Sequence, residues 1–307
     1  MRAITVTDRE AGVEGLRLTD RPYPHAAEND VIVRVHAASF TPGELAWPGT
    51  WSDRAGRDRT PSIPGHEVSG VVVELGYGTT GLTVGQRVFG LTDWARDGSL
   101  AEYVAVEARN LAPLPADIGH LDAASLPISG LTAWQGLIQH GALRTGQTVL
   151  IDGAAGAVGA LAIQVARDAG ATVIGSGRSA RRDVVLANGA HHFLDLDSEW
   201  VRGTEQVDLV FDVIGGEIST RSAALVRRGG ALVSIAEPPT TVRPDIRTGF
   251  FVVEPSRRQL VGLSRMVLSG RLKPRVGTVV TLGEAADAFV NRPNGAGKII
   301  VQVSPHT

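Results

Sequence analysis

The segment Thr148-Val-Leu-Ile-Asp152, Gly153-Ala-Ala-Gly156-Ala-Val-Gly159, decides the fold. Its first five residues form an apolar, β-branched run that reads as a buried strand. A glycine turn follows directly. Beyond it Val158, Leu161, Ala162, Val165 and Ala166 fall at the i, i+3, i+4, i+7, i+8 spacing of an amphipathic helix. Gly170 is placed to cap that helix, and Ala171–Ile174 reads as a second strand. Strand, glycine turn, helix and strand within about thirty residues make a dinucleotide-binding unit. In such a unit Gly156 lets the backbone approach a pyrophosphate, and Gly159 lets the helix pack close to the strand. The helix N-terminus offers free N–H groups and a positive dipole end to the phosphates.

The end of the second strand addresses which dinucleotide. An NAD site usually carries Asp or Glu about 20 residues past the turn, where it accepts from the ribose 2′-hydroxyl. Here that place reads Gly175-Ser176-Gly177-Arg178-Ser179-Ala180-Arg181-Arg182, with three arginines and no carboxylate. Guanidinium groups bind a 2′-phosphate through paired, charge-assisted hydrogen bonds, whereas a carboxylate repels one. Arginines are unfavourable to the dipole at a helix start, which weighs against a merely solvated role. The expected cofactor is NADPH.

Composition narrows the classes. With 307 residues the chain has room for two domains. A net charge of −2 points to neither nucleic acid nor an anionic membrane. No apolar run approaches a membrane span and no signal peptide is evident, so a soluble cytoplasmic protein is expected. The absence of cysteine excludes disulfides, thiol catalysis and thiolate zinc sites.

Up to about residue 122, short strands separated by Gly/Pro turns are expected at Arg2–Val6, Asp30–Ala37, Val68–Leu75, Arg87–Phe89 and Leu100–Val104. From Ala123 the texture becomes helix–strand alternation. Strands are expected at His192–Leu196, Val207–Val213, Ala231–Ile235 and Phe250–Val253, and helices near Arg181–Leu186, Glu217–Val226 and Ser256–Ser269. The last forty or so residues return to strands at Val276–Thr281 and Lys298–Val303 around a helix at Glu284–Val290. The expected fold class is α/β, a doubly wound parallel Rossmann sheet plus an irregular, mostly antiparallel barrel-like domain. Residues 1–122 and 270–307 are assigned to the barrel-like domain and 123–269 to the nucleotide-binding one. The long polar stretch from Trp47 to Pro64, with Arg54, Arg57 and Arg59, is expected to be a loop.

Several motifs then carry a resemblance. They are Gly65-His66-Glu67-Val-Ser-Gly70-Val-Val-Val-Glu74-Leu-Gly76, Val84-Gly-Gln-Arg-Val88, Ala123-Ala-Ser-Leu-Pro127-Ile-Ser-Gly-Leu-Thr132-Ala-Trp134 and the glycine turn, in that order. Together the chain resembles the medium-chain dehydrogenase/reductase superfamily, and within it the zinc-independent NADPH quinone oxidoreductases and enone reductases of the zeta-crystallin type. The resemblance implies a GroES-like first domain. It places Thr132 at the nicotinamide side and Ala155, Gly156, Ala157 and Val158 at the pyrophosphate turn. It places Ser176, Gly177, Arg178, Ser179 and Arg182 around the 2′-phosphate. A tyrosine that relatives use there corresponds to Leu196. Val213-Ile214, Ser234-Ile235-Ala236 and Phe251-Val252 match segments along the cofactor, with sheet core an equal reading for Val213, Ile235 and Phe251. Lys298 resembles a C-terminal basic residue of some relatives. Thr41, in Phe40-Thr-Pro-Gly-Glu44, stands where zinc-dependent relatives have a metal-ligating cysteine. His66 and the pair His191-His192 read as structural histidines.

Without a Lewis acid, alcohol oxidation is disfavoured. Hydride transfer from NADPH to a quinone or to the β-carbon of an enone needs only orientation and a donor to the carbonyl oxygen. Thr41 is the candidate catalytic donor, set against a role in closing the turn before Pro42. Trp47, Trp51 and Trp94 are candidate walls for a flat substrate, set against packing under their own loops. Two other readings stay open. One is a non-catalytic NADPH-binding sensor or structural protein. The other is an enoyl reductase for carrier- or CoA-bound acyl chains, with Arg54, Arg57 and Arg59 at its entrance. Residues 249–254 read as an apolar edge strand, and relatives pair this edge across a two-fold axis, so a homodimer is expected.

Overall fold

The computed structural model describes residues 1–198, 206–240, 243–292 and 297–304. In chain order the strands are β1 (Arg2–Thr5), β2 (Arg17–Asp20), β3 (Asp30–Ser39), β4 (Glu67–Leu75), β5 (Arg87–Leu91), β6 (Tyr103–Glu107), β7 (Leu111–Pro113), β8 (Thr148–Ile151), β9 (Thr172–Gly177), β10 (His192–Asp195), β11 (Val207–Asp212), β12 (Val226–Ser234), β13 (Arg247–Phe250), β14 (Val276–Thr281) and β15 (Lys298–Gln302). The chain forms two compact units. One comprises Met1–Ile128, Pro255–Leu268 and Pro274–Thr307, the other Ser129–Glu254 and Ser269–Lys273.

The first unit is built on a sheet in the order β14-β15-β3-β4-β5-β7, with β6 pairing β3 and a separate β1-β2 ribbon. Among the described residues its pairings are antiparallel except β14 with β15. β3 shows why residue type alone understates burial. Its valines Val31, Val33 and Val35 enter the main core with Val68, Val72 and Val104. Ala37 joins Ala124 of the helix His120–Ala124 and Ile300 of β15 in a separate cluster. Of β3 only Arg34 is exposed, because the strand is central and covered on both sides. The C-terminal β15 pairs β3 through Ile300, Val301 and Gln302, which brings the end of the chain back into this unit.

The second unit holds one fully parallel sheet in the order β10-β9-β8-β11-β12-β13. Buried β-branched and aromatic residues such as Val149, Ile151, Val210, Phe211 and Val233 fill its strands, as a sheet covered on both faces requires.

Several expected boundaries move. The strand expected at Leu100–Val104 is β6, Tyr103–Glu107, because Tyr103 to Glu107 are the residues that meet β3. The helix expected at Glu217–Val226 ends at Ala223, and Val226 instead opens β12 opposite Val207. The last strand of the parallel sheet ends at Phe250, three residues before its expected end at Val253. The helix Arg257–Leu268, expected with the nucleotide-binding segment, groups with the first unit. Arg257 donates there to the carbonyls of Leu111, at 2.7 Å, and Ala108, at 2.5 Å. The stretch 47–64 contains the short helix Pro48–Trp51, and its arginines are matched by acids. Arg54 pairs Asp93 at 2.7 Å, Arg57 pairs Asp53 at 2.8 Å and Arg59 pairs Asp97 at 3.3 Å.

Candidate cofactor and active site

Numbered along the chain, the parallel strands run 3-2-1-4-5-6, so the order reverses between β8 and β11. Ligands of open α/β sheets bind outside the carboxyl ends of the strands at such a reversal. The turn after β8 is built for close approach. Gly153 has φ +70, and a Cβ there would lie 2.5 Å from Val213. A Cβ on Gly159 would lie 2.3 Å from the Gly153 carbonyl oxygen, so only glycine lets the helix Ala157–Asp168 start this close to the strand. Gly156 is the exposed N-cap of that helix, and a Cβ there would meet only the Gly153 carbonyl, at 3.3 Å. The space in front of the turn is therefore open, and the first-turn amides of a helix have no acceptor of their own. These residues fit a pyrophosphate.

The second strand ends in the residues expected around a 2′-phosphate. Ser176 and Gly177 are the last residues of β9, Arg178 is the N-cap of a short 3-10 turn, Ser179 opens that turn and Arg182 follows it. Arg178, Ser179 and Arg182 are exposed. The Arg182 guanidinium lies 5.5 Å from the centre of the Phe193 ring. Ser179 donates its hydroxyl to Asp195 at the end of β10. Ser176 is fully buried and gives its hydroxyl to Asp152 at 2.6 Å.

Three further predicted cofactor segments of this unit lie at the same edge. Val213 and Ile214 follow β11, Ser234 closes β12 ahead of Ile235 and Ala236, and Phe251 and Val252 follow β13. Ser234 is buried and donates to Asp212 at 2.8 Å. Phe251 is buried and stacks on His140, with centroids 4.4 Å apart. Thr132 is buried in the helix Pro127–Trp134. Sequence reasoning passed over the two carboxylates beneath this edge, Asp152 and Asp212. Both are fully buried. Burial, with the neighbouring Asp212 charge, pushes the Asp152 carboxyl up to about 7, against the lowering effect of the hydrogen bond from Ser176. The signal was an aspartate closing an otherwise apolar strand.

Lys298, Thr41 and the candidate tryptophans Trp47, Trp51 and Trp94 belong to the first unit. Lys298 opens β15 and pairs with the fully buried Glu67. Glu67 also accepts from the Ser39 hydroxyl and, at 2.8 Å, from the Ile128 amide. Thr41 precedes the 3-10 turn Pro42–Ala46. Its amide donates to Glu44 at 2.9 Å, and its carbonyl accepts the Glu44 amide at 2.8 Å. Glu44 also takes the Gly65 amide at 3.0 Å and His66 Nδ1 at 2.7 Å. Thr-Pro-Gly-Glu is the capping-box spacing, which was visible in the sequence. With three donors converging on its carboxylate, Glu44 fixes His66 with the proton on Nδ1. Trp47 and Trp94 meet edge to face, with centroids 4.9 Å apart, and lie 6.1 and 5.1 Å from the His66 ring. Trp51 stands apart from them. It donates Nε1 to the Leu45 carbonyl at 2.8 Å and packs on the main core. His191 is a junction residue whose Nδ1 accepts the Val173 amide at 2.9 Å.

Comparison with known proteins agrees with this geometry. Residues 27–116 match the alcohol dehydrogenase GroES-like domain, and residues 188–301 match a family described as zinc-binding dehydrogenase. The chain is 30% identical to a 2-methylene-furan-3-one reductase of Solanum lycopersicum, over 99% of this chain and 80% of that protein. It is 31% identical to a chloroplastic NADPH-dependent alkenal/one oxidoreductase of Arabidopsis thaliana, over 96% and 78%. The structure superposes on a quinone oxidoreductase from Coxiella burnetii with a TM-score of 0.89 at 27% identity, covering 99% of both chains. A glycine turn at the reversal point of a parallel sheet, a GroES-like unit and these relatives make this chain an oxidoreductase of the medium-chain dehydrogenase/reductase superfamily.

Proposed function

We propose that the protein reduces quinones or α,β-unsaturated carbonyl compounds with NADPH and without a metal. The observation that carries the cofactor choice is the grouping of Arg178, Ser179 and Arg182 beyond the carboxyl end of β9, beside the glycine turn. NADPH, when bound, supplies a hydride. Ala155 to Val158 would hold its pyrophosphate, the arginines its 2′-phosphate, and Thr132, Val213, Ile235 and Phe251 its remaining length. The first unit takes the substrate, with Trp47 and Trp94 as aromatic walls. The chemistry NADPH would supply is delivery of that hydride to the substrate β-carbon, with negative charge developing on the substrate carbonyl oxygen. The Thr41 hydroxyl donates a hydrogen bond to that oxygen, and water supplies the final proton.

The relatives do not favour a non-catalytic sensor or structural protein, since both are named as reductases or oxidoreductases. The acid partners of Arg54, Arg57 and Arg59 weigh against a basic entrance for a phosphopantetheine arm. We further infer a cytoplasmic homodimer. Among the described residues no helix is long and apolar enough to cross a membrane. β13 is an edge strand; its last residue Phe250 and Val252 just beyond it are 43% and 63% exposed, while Phe251 and Val253 are buried. That alternation leaves an apolar edge ready to pair with a second copy. The test of function is NADPH oxidation followed against a panel of quinones, enones and saturated ketones. Turnover of quinones or enones alone is expected, and equal turnover of saturated ketones, or none of any, would overturn the reading.

A further inference from the structure

Asp195 ends β10 and lies in register with Gly177 at the end of β9. Its carboxylate accepts the Ser179 hydroxyl, and it accepts the Asp197 amide at 3.0 Å. The Ser179 hydrogen bond first, then the Asp197 amide and the nearby Arg182 charge, hold the carboxyl below its ordinary value, so it is an anion at neutral pH. Ser179, one of the three residues assigned to the 2′-phosphate, is therefore already engaged by a carboxylate, and Arg182 stands in the field of the same anion.

We propose that Asp195 sets how strongly this protein discriminates NADPH from NADH, by occupying in the free protein the hydroxyl that a ribose 2′-phosphate would take. The proposal rests on the reading of Arg178, Ser179 and Arg182 as the 2′-phosphate site. A phosphate monoester carries about −1.5 to −2 charge near neutrality, so it must displace or share with an anion to reach Ser179. A ribose 2′-hydroxyl is uncharged and a carboxylate is its natural acceptor. Asp195 thus weakens NADPH binding without weakening NADH binding, and the preference set by the arginines becomes graded rather than absolute. At a partly exposed site a like charge a few ångströms away weakens binding by about tenfold.

Calorimetric binding to the full chain tests this. The ligands are NADPH and NADH, and adenosine 2′,5′-bisphosphate and adenosine 5′-monophosphate as probes of the adenosine end alone. Asp195→Asn keeps an acceptor for Ser179 and for the Asp197 amide and removes only the charge. It is expected to bind NADPH and the bisphosphate about tenfold tighter, with NADH and the monophosphate within about twofold of the parent. Asp195→Ala, which also frees the serine, should move the same ratio in the same direction. An unchanged ratio in Asp195→Asn, or weaker NADPH binding, overturns the proposal and makes Asp195 a support for the turn. A different result sinks the underlying reading, namely that replacing Arg178 and Arg182 by alanine weakens NADPH and NADH equally.

Discussion

Asp152 and Asp212 lie at the carboxyl ends of neighbouring strands, both fully buried, and each takes a serine hydroxyl, from Ser176 and Ser234 respectively. Their surroundings differ. Asp212 also accepts the amides of Ile214 and Gly215, both at 2.9 Å, whereas burial dominates at Asp152 and holds its proton up to about pH 7. Unfolded, that carboxyl ionises near 3.8. Between the two values unfolding releases a proton, so stability is greatest below about pH 4 on this account and falls as pH rises to about 7, by on the order of 4 kcal/mol. Asp152→Asn should remove this dependence. Denaturant unfolding of both proteins at pH 5, 6, 7 and 8 measures it, and parallel curves would contradict it.

Arg178→Ala with Arg182→Ala should weaken NADPH binding by ten- to a hundredfold, since each guanidinium–phosphate contact is charge-assisted. NADH binding should stay within about twofold. Fluorescence titration with each cofactor decides this.

Lys298→Met would leave Glu67 buried without its cation. Removing one partner of a buried pair costs about 3–5 kcal/mol. The double variant with Glu67→Gln should recover part of that loss. Thermal melts of the three variants are the measurement, and an unchanged melting temperature in Lys298→Met would count against the pairing.

With no cysteine in the chain and His66 Nδ1 committed to Glu44, no thiolate-based zinc site can form. Elemental analysis of the purified protein should find no stoichiometric zinc, and chelators should leave NADPH oxidation unchanged.

Val252→Pro should weaken a dimer formed through residues 249–254, because proline removes a backbone donor just beyond the end of β13 at Phe250. Light scattering at micromolar concentration is expected to show a dimer for the parent protein and monomer for the variant. A dimer indifferent to the proline would move the interface elsewhere.

Local pattern carried much of this protein. The run Thr148–Ile151, the glycines that follow and the helical spacing to Ala166 are contiguous, and their geometry is set by near neighbours, so the sequence alone determined the turn and the arginines beyond β9. It also determined, by lacking cysteine, that no thiolate is available to a metal. Tertiary structure decided what partners those residues have. Glu67 meets Lys298 across 231 positions of chain, and Asp30 meets Arg96 at 2.6 Å across 66. Ser179 meets Asp195 only because β9 and β10 lie side by side. Burial of Asp152 depends on strands and a helix from distant segments closing over it, and desolvation is a property of that whole surrounding volume. Periodicity reports which residues face a core; which charges share it is fixed when remote segments pack together.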